Sequence, residues 1–129
     1  MPTITIIRGL PGSGKSTYAN HLVHSVFAFH IEADMYFVRA DGVYRFVPEE
    51  LAAAHEWCRE KVREVMEEGI DDVIVSNTFT RHWELEPYVA MAQTYKYRCF
   101  VIAMCGGTYP NVHNVPEETI NKMRERWEP

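Results

Sequence analysis

The chain has 129 residues, of which 47% are hydrophobic, and this is enough material for one compact domain with a buried core. A formal net charge of −5 argues against a broad basic surface that coats nucleic acid, although it leaves room for a local basic groove. No apolar run reaches the roughly 18 residues of a membrane helix, and the three cysteines lack metal-site or redox spacing, so we expect one cytoplasmic domain, residues 1–129, without a membrane partner.

The first elements are predicted as strand, loop, helix and strand. Residues 3–8 are β-branched and apolar, a Gly- and Pro-rich turn follows, and residues 16–27 carry apolar side chains at helical spacing. A short apolar run at 27–31 predicts a second strand, which ends at the polar cluster 32–34. Residues 35–47 have no regular period and contain an Asp-Gly turn signal among four aromatic residues, so they predict a loop that lines a cleft.

The second half alternates helices and strands in the same way. Pro48, with two glutamates after it, predicts the start of a helix whose inward stripe begins at Leu51, and Gly69 predicts its end. The remaining predicted elements are strands at 73–75 and 97–104, helices at 83–94 and from Pro116 onward, and a loop at 106–115.

Alternating strands and helices indicate a parallel sheet that is covered by helices on both faces. Ligands of such sheets bind at the carboxyl ends of the strands, where this sequence places its polar residues. We therefore predict an α/β fold with three layers, αβα, around a parallel sheet of four or five strands.

A phosphate-binding motif stands between the first strand and the first helix. Gly9 to Ser16 matches G-x-x-x-x-G-K-[ST] in the strand–loop–helix context that the motif requires. Its glycines let backbone N–H groups point at phosphate oxygens, Lys15 is the expected catalytic cation at the transferred phosphate, and the Ser16 hydroxyl is the expected magnesium ligand. We predict ATP and Mg²⁺ as cofactors, bound by Pro11, Gly12, Ser13, Gly14, Lys15, Ser16 and Thr17.

The phosphate loop and four later segments resemble a known family. Gly9 to Thr17 is similar to the phosphate loop of polynucleotide kinases and zeta-toxin-like kinases. The segments DGVYRF (41–46), AHEW (54–57), WELEPYV (83–89) and VPEETI (115–120) resemble the kinase-like domain of the Nedd-binding protein 2 family. This resemblance covers residues 6–127 and implies a P-loop kinase fold with a short lid loop. It also implies transfer of the γ-phosphate of ATP to a hydroxyl.

The resemblance also implies roles for individual residues. Polynucleotide kinases carry a general base after the second strand, and Asp34 stands at the matching place, with a helix cap or a loop-stabilising carboxylate as the alternative. Asn77 and Thr78 correspond to residues that contact the acceptor or the phosphates, although a side-chain-capped turn explains them equally well. Tyr36 and Arg39 are expected to bind the acceptor by base stacking and phosphate contact, with core packing of at least two of the loop's aromatics as the default.

Two departures from the family pattern bear on catalysis. Relatives carry paired arginines in the lid, where Thr108 and Tyr109 stand here, and their loss is expected to cost several orders of magnitude in rate. Arg81, which follows the third strand, is the expected catalytic substitute, and His113 is the weaker alternative. Asn77 also stands where some relatives have a carboxylate, which predicts a weak metal site.

Three functions fit these features. The leading prediction is a kinase whose acceptor is a nucleic-acid hydroxyl, either a 5′ end or a hydroxymethyl group on a base. A small-molecule nucleoside or nucleotide kinase is the second, favoured by the acidic charge and by Phe37, which replaces a basic residue of relatives, but disfavoured by the short 35–47 segment. The third is an ATP-binding regulatory module with weak catalysis. The sequence leaves the oligomeric state open.

Overall fold

The computed structural model describes residues 1–26, 28–104 and 115–129. The predicted lid loop, with Thr108, Tyr109 and His113, lies outside these residues. So does Phe27, where the second strand was expected to begin.

Four strands and four α-helices alternate along the described part of the chain. The strands are β1 (Thr3–Gly9), β2 (Phe29–Ile31), β3 (Asp72–Asn77) and β4 (Arg98–Met104), and the helices are α1 (Lys15–Val26), α2 (Leu51–Glu67), α3 (His82–Tyr95) and α4 (Glu117–Glu125). Two short 3-10 helices, Ala33–Phe37 and Pro48–Glu50, precede α2.

The strands form one parallel sheet with the order β2-β3-β1-β4. In β1, which lies between β3 and β4, Ile6 is opposite Val75 of β3 and Val101 of β4. Because all four strands run in the same direction, their carboxyl ends meet at one edge, which the phosphate motif also reaches at the end of β1. The predicted parallel sheet of four or five strands is confirmed.

The side chains of β1 point alternately into two cores. Ile4 and Ile6 are fully buried in the larger core with residues of α2 and α3, whereas Ile7 packs with Ala19 of α1 on the opposite face. Each fully buried isoleucine contributes about 1.5–3 kcal/mol to stability. Helices on both faces of the sheet make the three predicted layers.

Helix α2 begins and ends close to the predicted residues. Pro48 opens the 3-10 turn that precedes it, and Gly69 ends it in the left-handed conformation, with φ of 79°. Leu51 was predicted to face inward, and this was wrong: the residue is 42% exposed, because Ala54 takes the inward position in the first turn.

The aromatic segment after β2 is more ordered than the predicted loop. A 3-10 helix is followed by an antiparallel bridge between Val38 and Tyr44. Phe37 is 4% exposed and packs edge-on against Tyr44 and Phe46, with ring centroids 6.3 and 5.0 Å away, while Phe46 is 47% exposed. The segment therefore forms its own small cluster next to the site.

The cysteines and the helices bear on the expected cellular setting. Cys58 and Cys99 are free thiols, as expected. Across the described ranges, the helices are all too short or too polar to span a membrane.

Candidate active site

The phosphate loop connects β1 to α1 in a conformation that depends on glycine. Gly12 and Gly14 have φ values of 83° and 89°, a region where a side chain is strained, and the Ser13 N–H closes the turn on the Leu10 carbonyl at 3.0 Å. Helix α1 starts at Lys15, so its first-turn N–H groups face the loop without helical acceptors. The loop therefore has the geometry of an anion site.

The loop is packed tightly against the end of the sheet. A methyl group at Gly9 would collide with Ser13 Oγ and come within 3.1 Å of the Met104 carbonyl oxygen. The Ser13 hydroxyl is buried and has no hydrogen-bond partner among the described residues. A phosphate oxygen held in the loop would supply an acceptor for such a hydroxyl.

Lys15 lies among acidic groups at the carboxyl edge of the sheet. Burial lowers the pKa of its ammonium, and the charges of Glu32 and Asp34 act in the opposite direction. The structure thus brings together Lys15 and Asp34, both predicted as catalytic, and adds Glu32. The cluster thus places two acidic side chains around one lysine.

Glu32 connects three elements of the site through one carboxylate oxygen. Its Oε2 accepts hydrogen bonds from the Ser16 hydroxyl at 3.0 Å and from the Ser76 hydroxyl at 2.9 Å. The ring nitrogen Nε2 of His30 lies 2.7 Å from Ser76 Oγ, and burial lowers the pKa of His30 while Glu32 opposes that shift. Glu32 was not predicted as a site residue. Its position directly after β2, two residues before Asp34, could have indicated that it lies at the site.

The oxygen atoms at this corner fit magnesium. Mg²⁺ prefers oxygen ligands, keeps several waters, and is usually held by one or two carboxylates together with substrate phosphates. Ser16 and Glu32 provide a hydroxyl and a carboxylate, and no set of three His, Cys, Asp or Glu side chains gathers anywhere in the described ranges. The site therefore suits a metal that arrives with a nucleotide and not one locked in a protein cage.

Asp34 lies in the first turn of the 3-10 helix and is partly exposed. The residue that precedes this helix at its cap position is Glu32, so Asp34 does not have the helix-cap role. The Tyr44 hydroxyl donates to Asp34 Oδ1 at 3.3 Å, and burial together with Asp34 raises the pKa of Tyr44 to about 12. Tyr44 therefore remains protonated and orients the carboxylate.

Asn77 and Thr78 fix the ends of strands. Asn77 is 6% exposed; its side-chain oxygen accepts from the Ala33 N–H at 2.8 Å and its amide nitrogen donates to Cys58 Sγ at 3.7 Å. The carbonyl of Thr78 accepts from the Gly9 N–H at 3.2 Å. Asn77 thus anchors the turn that carries Asp34, and direct contact of either residue with an acceptor remains a prediction.

A shallow cavity lies beside the Asp34 turn. Its volume is about 220 Å³, and Tyr36 and Arg39 lie in its wall; their binding of an acceptor stays a prediction. Tyr36 donates a hydrogen bond to Glu50 at 3.3 Å, and Arg45 pairs with Asp41 at 3.3 Å. The cavity is lined by Tyr36, Phe37, Val38, Arg39, Arg45, Val47 and Glu50.

Arg81 is exposed and stands at the cap position of α3, at the same edge of the sheet. Arg8 was not predicted as a site residue. It is 3% exposed and binds the backbone of Phe79 and Thr80, the two residues that precede Arg81. Its guanidinium donates to the Phe79 carbonyl at 3.0 and 2.8 Å and lies 4.1 Å from the Trp127 ring centroid. Phe79 itself has a φ of 48°, which is costly for a bulky residue and is held by these contacts.

Comparisons with known proteins agree with this geometry. A profile of the family described as AAA domain matches residues 4–106. NEDD4-binding protein 2 of Homo sapiens is 34% identical to this chain over 136 residues, an alignment that covers 97% of this chain and 8% of that protein. A chain of the Pnkp1/Rnl/Hen1 RNA repair complex superposes with a TM-score of 0.74 at 18% identity, covering 97% of this chain and 43% of that one. A gluconokinase from Sinorhizobium meliloti 1021 gives 0.63 at 13% identity, with 99% and 76% covered.

These matches confirm the resemblance that the motifs indicated and the α/β P-loop kinase fold. At such low identities, the solved structures establish the fold alone. The chain spans 8% of the length of its human relative and 43% of the RNA repair chain, so it corresponds to less than half of each.

Proposed function

This chain is a member of the AAA domain family with a P-loop kinase-like fold, and on that premise we propose that it is an ATP-dependent kinase with a nucleic-acid acceptor. The group transferred is the γ-phosphate of ATP. The acceptor is the hydroxyl of a 5′ end or of a hydroxymethyl group on a base. The observation that carries the proposal is the cluster of Lys15, Glu32 and Asp34 beside the phosphate loop.

The nucleotide side of the reaction belongs to the phosphate loop. Backbone N–H groups of the loop and of the first turn of α1 hold the polyphosphate, and Lys15 neutralises charge on the transferred group. When bound, Mg²⁺ would supply further neutralisation of the phosphate charge. Ser16 and Glu32 are the side chains suited to hold it.

Asp34 is the proposed acceptor of the proton. The acceptor oxygen forms its bond to phosphorus while the bond to ADP breaks, and the hydroxyl proton passes to the carboxylate of Asp34. Tyr44 and the turn anchored by Asn77 keep this carboxylate in place. General-base catalysis of this kind contributes about 10²–10⁴-fold, while positioning and charge stabilisation supply the rest.

The acceptor side is formed by the cavity and its surroundings. Tyr36 offers an aromatic ring on which a base can stack and Arg39 a permanent charge for a phosphate, and both line the same cavity. Thr78 and the exposed Arg81 stand at the carboxyl edge of the sheet and are the proposed further contacts to acceptor and transferred phosphate.

The proposed setting is the cytoplasm. Cys58 and Cys99 are free thiols, which supports a reducing compartment. ATP and Mg²⁺ at cytosolic concentrations are consistent with a site that takes its metal together with the nucleotide.

A small-molecule kinase is the second candidate, because a gluconokinase is among the structural neighbours and the cavity of about 220 Å³ suits a small acceptor. The two functions predict different acceptors for the same phosphate group.

Transfer of radiolabelled γ-phosphate to a panel of acceptors distinguishes them. The panel contains 5′-hydroxyl DNA and RNA oligonucleotides, DNA with hydroxymethyluracil, nucleosides and gluconate. We expect label on at least one oligonucleotide, and loss of that labelling when Arg39 is changed to Ala. Labelling confined to nucleosides or gluconate would refute the nucleic-acid acceptor and favour the second candidate.

A further inference from the structure

The negative charge next to Ser16 comes from Glu32, a residue that follows β2. Three elements meet there: Ser16 in the first turn of α1, Ser76 in β3 and Glu32 just after β2. One carboxylate oxygen of Glu32 accepts from both hydroxyls, at 3.0 and 2.9 Å, and the Glu32 side chain is only 13% exposed. The two serine hydroxyls thus donate to a single, nearly buried oxygen.

The strand order shows how far this carboxylate reaches. β3 lies between β2 and β1, and Ser76 is paired with Ile7, which lies two residues before Gly9, where the phosphate motif begins. The Ser76 hydroxyl shares the Glu32 oxygen with Ser16, so β3 presents a hydroxyl next to Ser16, whereas the Asn77 side chain bonds Ala33 and Cys58 instead. Glu32 comes from the next strand outward, about 4.8 Å farther, and its long side chain crosses the end of β3, where Ser76 holds it.

We infer that Glu32 is the carboxylate that organises magnesium in this protein, contributed by β2 because β3 has Ser76 in the nearer place. Because Glu32 accepts a hydrogen bond from the Ser16 hydroxyl, the lone pairs of the Ser16 oxygen point outward, where they can bind a metal ion. Its charge also lies beside the phosphate loop, as a hard cation requires. The inference rests on the proposed function, since it concerns magnesium that binds with ATP.

A purely structural role for Glu32 makes a different prediction. Glu32 also serves as a hydrogen-bond acceptor for β3. The titratable side chains that interact with its charge include Lys15, His30, Tyr44 and Cys58. If Glu32 only braced the fold, its loss would weaken ATP binding equally with and without magnesium. If it organises the metal, only the magnesium-dependent part of ATP binding is lost.

The test is ATP affinity measured by calorimetry in excess Mg²⁺ and in EDTA. For Glu32→Gln we expect the affinity in Mg²⁺ to fall about 10- to 100-fold. The affinity in EDTA should stay equal or rise, because a negative charge near the phosphates is gone. Broadening of the Mn²⁺ paramagnetic signal in the presence of ADP should decrease in parallel. The matched control is Glu67→Gln, which removes a carboxylate that accepts from Tyr95 at 2.8 Å on the surface.

Moving the carboxylate to β3 gives the decisive variant. The double change Glu32→Ser with Ser76→Asp keeps the charge and shifts its strand, and we expect it to recover most of the magnesium dependence that Glu32→Ser alone loses. Equal affinity loss in Mg²⁺ and EDTA for Glu32→Gln, or no loss in either, would overturn the inference. If the unmodified protein binds ATP equally well in both buffers, the inference fails while ATP binding stands; if it does not bind ATP, the proposed function fails as well.

Discussion

Replacing Arg8 by Met should strongly destabilise the protein, although Arg8 does not point into the phosphate loop. The guanidinium is the donor to the Phe79 carbonyl through two nitrogen atoms, and Thr80 and Glu128 carbonyls accept from it as well. The Thr80 carbonyl still accepts from the Glu128 N–H at 2.7 Å when Arg8 is removed. The Phe79 carbonyl loses both hydrogen bonds from Arg8 and is therefore the group most affected.

The magnitude follows from these contacts. An unsatisfied buried carbonyl costs about 1–3 kcal/mol, and the lost contact with the Trp127 ring costs about 1 kcal/mol. Met fills much of the vacated volume, so we expect a net loss of about 2–4 kcal/mol, a large part of the 5–15 kcal/mol that holds a typical domain. At about 4 °C per kcal/mol for a chain of this length, Tm falls by about 8–16 °C.

Urea unfolding followed by circular dichroism measures this loss. Arg63→Met is the matched control, because Arg63 of α2 is partly exposed and pairs with Glu60 at the surface. It should change the unfolding free energy by less than about 0.5 kcal/mol. If Arg8→Met is as mild as this control, the argument that Arg8 fixes the strained turn at Phe79 is refuted.

Two further predictions follow from the packing of the loop and the burial of histidines. Gly9→Ala should lower the unfolding free energy by about 1–3 kcal/mol, because its methyl group meets Ser13 Oγ and the Met104 carbonyl. Adding Ser13→Ala should restore part of this free energy in the same urea assay. An unchanged free energy in Gly9→Ala, or no recovery in the double variant, contradicts this prediction. Burial lowers the pKa of His30 and His55 below the ordinary value of 6.5, so the unfolded state binds more protons. The unfolding free energy should be highest above pH 6.5 and fall as the pH drops through the folded pKa values; a flat profile between pH 7.5 and 5.5, or one unaffected by changing both residues to Gln, would disprove this.

The parts of the fold that local sequence determines were predictable. The β-branched run of β1, the phosphate loop and the start of α1 are encoded by neighbouring residues, and their predicted and observed bounds differ by about one residue. Pro48 and Gly69 likewise mark helix ends through their own backbone preferences. Parallel pairing then follows from the alternation of strands and helices.

The contacts that complete the site depend on residues distant in sequence and were missed. Glu32 meets Ser76 only because β2 and β3 are neighbours, and Arg8 meets Phe79 across 71 positions. The hydrogen bond from the Ala33 N–H to the Asn77 side-chain oxygen was likewise not predicted, while the predicted contact of Asn77 with an acceptor stays untested. Such pairs become visible only when the sheet order and the register are known.

The most direct test of the kinase proposal compares ATP binding with phosphate transfer in two variants. Lys15→Ala should weaken both ATP binding and transfer, since Lys15 is the proposed cation at the phosphates. Asp34→Asn should retain ATP affinity while transfer of labelled γ-phosphate to an oligonucleotide falls by about 10²–10⁴-fold. Unchanged transfer in Asp34→Asn, or ATP binding that does not depend on Lys15, would contradict the account.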